Sequence, residues 1–180
     1  MLLLTANGQK PDALLLTRER YTSHEKLSQG AVILDGSENA SVQYAQCCRP
    51  VPGDSIVGYL GRGEGLVVHT SGCAVAARLK HRDSERFIAV DWADEPVRQF
   101  DTGLVVTVTN RKGVLARVAA DLAQSEVDIT KVDMGEEDQH DTTDLRFVIS
   151  VRDAAHLDAA LRNLKRTSSV LRAQRITPHA

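Results

Sequence analysis

A chain of 180 residues, 42% hydrophobic and 26% charged, has room for two small domains but not for a large catalytic core. A net charge of −2 and a pI near 6.3 argue against a broadly basic nucleic-acid binder, and 4% aromatic residues argue against recognition by base stacking. The apolar start Met1, Leu2, Leu3, Leu4 is interrupted by Asn7, Gly8, Gln9 and Lys10, so no membrane span or secretory signal is expected and the chain is placed in the cytoplasm.

Residues 1–30 hold no recognisable domain. Leu14, Leu15 and Leu16 read as a strand followed by charge, and the segment looks like a remnant or linker at the tail of something longer. Short strands are expected at 31–35 and 42–45, with a turn at 36–39 between them. Residues 55–60 and 66–69 form the expected hairpin, joined through a glycine-rich loop at 61–65. That loop lacks Walker-type spacing, so it reads as a hairpin turn and not as a phosphate cradle. Ser71 is expected to cap a short helix running to Leu79, and a strand returns at 87–92 before Asp94, Glu95 and Pro96 mark a boundary. The first domain, 31–95, is therefore a small sheet with one helix, near the lower size limit for a core, where a bound metal adds most.

All three cysteines fall in this domain: Cys47, Cys48 and Cys73, with His69 four residues before the last. Thiols gathered beside a histidine point to a soft metal, above all zinc. Adjacent side chains in an extended segment face opposite ways, so Cys47 and Cys48 reach one ion only if the backbone turns. The Pro- and Gly-rich run at 49–54 is the expected turn. Two other readings stand beside this one. The cysteines can act as small buried hydrophobes, or Cys47 or Cys48 can serve as a nucleophile with His69 as base, although no third group is evident to orient it.

The second half, 96–180, reads by its periodicity. Residues 104–109 are rich in β-branched side chains and form a strand, which Asn110, Arg111, Lys112 and Gly113 break. Val114, Leu115, Val118, Ala119 and Leu122 recur at helical spacing, and the helix should end near Gln124 or Ser125. A strand follows at 127–134, then a polar loop at 135–141. The acidic run of Asp133, Glu136, Glu137 and Asp138 has no partner base and reads as solvated. Leu145, Phe147, Ile149 and Val151 alternate strictly, the mark of a half-buried strand. Asp153 is expected to cap a helix whose inner stripe is Leu157, Ala160, Leu161 and Leu164, and 170–176 closes as a strand. The order βαββαβ gives an antiparallel sheet with both helices on one face, the ferredoxin-like fold, so the whole chain is of the α+β class.

Charge is uneven along the chain. Arg78, Lys80, His81, Arg82 and Arg86 cluster near the first helix, and Arg162, Lys165, Arg166, Arg172 and Arg175 crowd the C-terminal segment. Such patches can hold RNA phosphates, or they can be ordinary solvated faces.

The run from Cys47 through Arg49, Pro50, Pro52, Gly53 and Asp54 to Gly58, then Gly63, Glu64, Gly65 and His69, then Cys73, resembles the conserved cysteine domain near the C-terminus of RelA/SpoT proteins. Those proteins synthesise and hydrolyse the alarmone (p)ppGpp. In that family the domain is called the zinc-finger or ribosome-intersubunit domain, and an ACT domain follows it. Asn110, Gly113, Val114 and Leu115 resemble the ACT loop that, paired with a neighbouring subunit, binds a free amino acid in many ACT domains. Bare N–H groups at a helix start attract a carboxylate, and glycine admits it to the backbone. The resemblance covers about 31–180. It implies zinc held by Cys47, Cys48, His69 and Cys73 in the C-terminal regulatory region of a bifunctional, SpoT-like synthetase/hydrolase. It further implies an ACT-mediated dimer that senses ribosomal or metabolic signals in the stringent response and controls catalytic domains in cis or trans. The hydrolase and synthetase modules precede this region in the family and have no counterpart in these residues, so the chain is not expected to be an enzyme by itself. A free-standing amino-acid-binding ACT sensor and a small zinc-dependent RNA-binding protein remain as alternatives.

Overall fold

The computed structural model of the protein describes residues 31–38, 41–134 and 141–176. The expected remnant at 1–30, the end of the first turn at 39–40 and the acidic loop at 135–140 lie outside the described residues.

The first half contains β1 (Val32–Leu34), β2 (Val42–Tyr44), β3 (Ile56–Gly61), β4 (Gly65–Thr70), α1 (Ala74–Arg82), a single 3₁₀ turn (Ser84–Arg86), β5 (Phe87–Ile88) and β6 (Val90–Trp92). The β3–β4 hairpin forms where expected, with Gly61 opposite Gly65. Gly65 is required there: its φ is +78°, and a Cβ would sit 2.1 Å from the Ser41 carbonyl oxygen.

Three expectations need correction. β1 and β2 do not pair with each other; β2 runs parallel to β4, and β1 runs parallel to β6 in a separate two-stranded sheet. The single strand expected at 87–92 is divided at Ala89, so that β5 pairs with β3 and β6 with β1. The Ala89 carbonyl, freed by that break, accepts the Val32 N–H at 3.0 Å. Helix α1 is capped at Cys73 instead of Ser71 and runs on to Arg82. Lys80, His81 and Arg82 sit in its last turn, where the helix dipole favours positive charge.

The second half follows its pattern closely: β7 (Phe100–Thr109), α2 (Val114–Gln124), β8 (Asp128–Met134), β9 (Thr142–Val151), α3 (Ala154–Leu164) and β10 (Val170–Arg175). The strand order β10-β7-β9-β8, antiparallel throughout, is that of the ferredoxin-like fold. β7 begins four residues before the expected start, because Phe100 and Thr102 are buried and continue the ladder to Val151. Leu145, Phe147, Ile149 and Val151 are all buried, and Asp153 caps α3 by accepting the His156 N–H at 2.7 Å. Leu161 is only half-buried; His156 takes the inner place beside Leu157, Ala160 and Leu164. Among the described residues no helix is long and apolar enough to cross a membrane.

The two halves share a core. Val51, from the first half, is fully buried in the same cluster as Phe100, Leu104, Phe147 and Leu157, with Tyr44 and Trp92 packed against it. Polar bonds fix the same seam. The Ala154 N–H at the start of α3 donates to the Pro52 carbonyl at 2.8 Å, and within the first half the Trp92 indole N–H donates to the Asp54 carbonyl at 3.0 Å. Arg175, on β10, donates to both carboxylate oxygens of Asp54 at 2.6 and 2.7 Å, to the Arg49 carbonyl at 2.9 Å and to the Thr102 hydroxyl at 3.1 Å. A forked, largely buried pair of this kind leaves an unpaired charge when one partner is removed. Arg175→Ala should therefore lower stability by about 2–4 kcal/mol in urea titration. Arg172→Ala, exposed on the same strand, should change it by less than about 0.5 kcal/mol.

Candidate metal centre

Backbone geometry brings the two neighbouring cysteines to one side. At residues 45–49 the chain folds into a tight turn in which the Ala45 carbonyl accepts the Arg49 N–H at 2.8 Å and the Cys48 N–H at 3.4 Å. Arg49 completes it in the left-handed region at φ 43°. This turn encloses the cysteines and so lies ahead of the run at 49–54 expected to supply it. That run makes a second turn, closed by Asp54 N–H to Val51 O at 3.0 Å and Val51 N–H to the Asp54 carboxylate at 2.8 Å. His69 projects from β4 and is buried, and Cys73 sits at the start of α1, fully buried.

The four side chains converge: the ligand atoms of Cys47, Cys48, His69 and Cys73 all lie within 4.8 Å of one another. Cys47 Sγ is 3.4 Å from His69 Nδ1, 3.5 Å from Cys73 Sγ and 3.9 Å from Cys48 Sγ, while Cys48 Sγ is 3.7 Å from His69 Nδ1. Tetrahedral zinc, with Zn–S near 2.3 Å and Zn–N near 2.0 Å, sets sulfurs about 3.8 Å apart and sulfur and nitrogen about 3.5 Å apart. The donor set, and these four separations, suit such an ion. Cys48 Sγ also accepts the Thr70 N–H at 3.3 Å, a contact that orients the sulfur from outside the cluster.

The electrostatics of the protein alone oppose ionising two of the three thiols. Burial, then the neighbouring Cys73 and Cys48 thiols, pushes Cys47 up to about 12. Burial also raises Cys48, against the Thr70 N–H. At Cys73 burial acts upward too, but the Ala76 and Val75 N–H groups of the helix start and the Cys47 thiol outweigh it and bring it down. Burial lowers His69 and keeps its ring neutral, the form that ligates metal. A cation placed among the sulfurs reverses this balance.

The remaining candidate residues are not gathered into one site. Gly113 stands at the start of α2 with φ +83°, and a Cβ there would meet nothing within 4 Å. Its neighbours Val114 and Leu115 turn inward, Val114 into the core and Leu115 against it, while the Asn110 N–H donates to the Asp141 carbonyl at 2.8 Å. Arg78, Lys80 and Arg82 are exposed on α1; Arg162, Lys165 and Arg166 are exposed at the end of α3. Arg175 does not belong to the second basic patch, because its guanidinium is taken up by Asp54. The one mark of that pairing in the sequence is the Asp at the close of a Pro-Gly-Asp turn.

Two family models match the chain: the RelA/SpoT RIS domain over residues 32–93 and an ACT domain over residues 96–175. Among similar curated proteins are the GTP pyrophosphokinase of Photobacterium angustum, 27% identical over 89% of this chain and 22% of the relative. Another is the bifunctional (p)ppGpp synthase/hydrolase SpoT of Escherichia coli, 30% identical over 82% of this chain and 21% of the relative. The chain thus spans about a fifth of the length of these relatives. Among solved structures, the ACT domain from GTP pyrophosphokinase of Chlorobium tepidum aligns with a TM-score of 0.38 and 14% identity over 43% of this chain and 99% of that one.

The open space above Gly113 separates backbone strain from steric blockage. Gly113→Ala should lower stability by about 1 kcal/mol, the cost of a left-handed alanine, and leave the ACT-half amide spectrum otherwise intact. A loss several times larger in chemical denaturation would mean that a side chain clashes where the structure leaves room.

Proposed function

The chain belongs to the RelA/SpoT family and corresponds to its C-terminal RIS–ACT region, and from that premise we propose that it is a regulatory module that governs (p)ppGpp synthesis and hydrolysis by catalytic domains in cis or in trans. The parent is read as the bifunctional, SpoT-like branch, and the division of labour runs 31–95 for the cysteine domain and 96–180 for the ACT domain. The single observation that carries the metal part of this reading is the convergence of three sulfurs and one imidazole nitrogen within 4.8 Å. Cys47, Cys48, His69 and Cys73 hold a structural zinc, whose role is to clamp the 45–54 turns to β4 and α1. Four protein ligands leave no open position for a reacting water, which suits a structural and not a catalytic ion.

The signal reaches this module from the ribosome or from a small metabolite. Support for the first is the exposure of Arg78, Lys80 and Arg82 on α1 and of Arg162, Lys165 and Arg166 at the end of α3. Support for an amino acid in a dimeric ACT arrangement is the open, left-handed Gly113 at the helix start, next to Asn110 and ahead of Val114 and Leu115.

Protein purified without a metal-affinity tag should carry one zinc per chain, and Cys73→Ser and His69→Ala should each lose it and unfold the first half, since zinc ligation supplies on the order of 10 kcal/mol to small domains. Binding displaces protons from the thiols, so zinc is held at neutral pH and released as pH falls; metal-linked stability must decline toward acid, and retention of zinc in both variants would remove the assignment. The regulatory half is tested by replacing the matching region of the E. coli SpoT relative with this chain. The ratio of synthesis to hydrolysis should differ between the wild-type graft and one bearing Cys73→Ser; equal ratios would reject a regulatory role.

A further inference from the structure

Beside the cysteine cluster, the two halves of the chain enclose a cavity of about 660 Å³ between β2, the 45–50 turn and residues 98–101. Its volume falls within the roughly 300–1,000 Å³ typical of small-molecule sites. Arg49 and Arg98 both line it, and neither forms a salt bridge among the described residues. Most exposed arginines wander, but Arg98 is held: its guanidinium carbon lies 5.1 Å from the centroid of Tyr44 and 5.1 Å from that of Phe100. Those rings are themselves fixed. Tyr44 donates its hydroxyl to Glu38 at 2.9 Å and stacks on Trp92 at 5.6 Å, and Phe100 is buried against both.

Arg98 also hydrogen-bonds the Tyr44 hydroxyl oxygen, and the rest of its in-plane N–H edge can face an oxyanion. Gln46 and Gln99, both exposed in the same wall, add amide donors. Two carboxylates share the lining, Asp101, which accepts the Ser150 hydroxyl, and Glu64, exposed at the β3–β4 turn, so the wall is balanced in formal charge and its preference for an oxyanion rests on the two guanidinium groups as donors. The ring contacts that hold Arg98 in place also occupy the aromatic surfaces, so the cavity selects for charge and not for a stacked base.

We propose that this cavity is a binding site for a small phosphate-bearing metabolite, its dianionic group held by the guanidinium groups of Arg49 and Arg98. Two guanidinium forks against one phosphate, that of Arg98 held by its ring contacts, give paired, charge-assisted hydrogen bonds, which a single-charged carboxylate satisfies only in part. The proposal does not rest on the metal reading, since neither arginine belongs to the cysteine–histidine set.

The test is a ¹⁵N–¹H NMR titration of the full chain, as purified, with inorganic phosphate against chloride at constant ionic strength. Saturable shifts should gather at the Gln46 and Gln99 amides and the Arg98 Nε–H. Arg49→Gln and Arg98→Gln should each weaken binding about tenfold or more, the loss of one charge-assisted contact, and Arg82→Gln on α1 should not. Because Arg98→Gln also removes the ring contacts, Arg98→Lys, which keeps the charge and loses the fork, should fall between the two. Shifts that fail to saturate, that spread over α1 and α3, or that persist unchanged in both Gln variants would overturn the site; an equal response to acetate would overturn its assignment to phosphate.

Discussion

Arg175 on the last strand and Asp54 in the second turn after the cysteines hold the molecule together. The ten residues from Ala45 to Asp54 face two ways at once. Their side chains at Cys47 and Cys48 meet His69 and Cys73, while the backbone and side chains from Arg49 onward meet the second half. Arg175 binds the Arg49 carbonyl, next to Cys48 in the chain, and both oxygens of Asp54. The Pro52 carbonyl takes the first free N–H of α3, and Val51 enters the ACT core. A short segment with two prolines is stiff enough to serve both neighbours without relaxing away from either.

The cysteine cluster depends on that stiffness. Of the three thiols gathered with an imidazole within 4.8 Å, Cys47 and Cys48 resist becoming the thiolates that a metal needs, while the helix start favours that form at Cys73. Their crowding is tolerable in the neutral state and strongly favourable around a divalent cation, so the cluster has chemical meaning chiefly as a ligand set. As a plain apolar core it would be poor: Ala45, Cys48, Cys73 and Ala76 form a small cluster that buries little hydrocarbon. The larger core lies on the other side of the turns, built by the ACT sheet and its helices.

The ACT half was legible because one periodicity ran through each element. Alternation at Leu145 to Val151 and the helical stripe at Val114 to Leu122 left a single topology consistent with the loop lengths. The first half was read less well for a definite reason. Four of its six strands are two or three residues long, too short for period-two alternation to speak, and β1 and β2 find partners that are parallel and distant in sequence. A turn at 36–39 looks like a hairpin signal when only its residue types are visible. The cysteine and histidine set was legible from residue type and spacing, but the turn that unites Cys47 and Cys48 was not, since Arg49 in the left-handed region carries no compositional mark. Arg175 was counted with its basic neighbours because charge in sequence says nothing of which guanidinium faces inward.

This construction limits how a regulatory module of this kind can act. Domains joined by a thin, polar seam are expected to hinge, and a signal can then be carried by their relative rotation. Here the seam has a shared apolar core, an aromatic trio of Tyr44, Trp92 and Phe100, and a forked ion pair, and the 45–54 turns belong to both sides of it. Bending at residues 94–96 would tear Asp54 from Arg175 and expose Val51, at a cost of several kcal/mol for the buried pair alone. The two halves are therefore tied as one body, and an occupant of any of the proposed sites would act on the same unit. Coupling among such sites is reciprocal: whatever stiffens the 45–54 turns favours every partner that requires them in place.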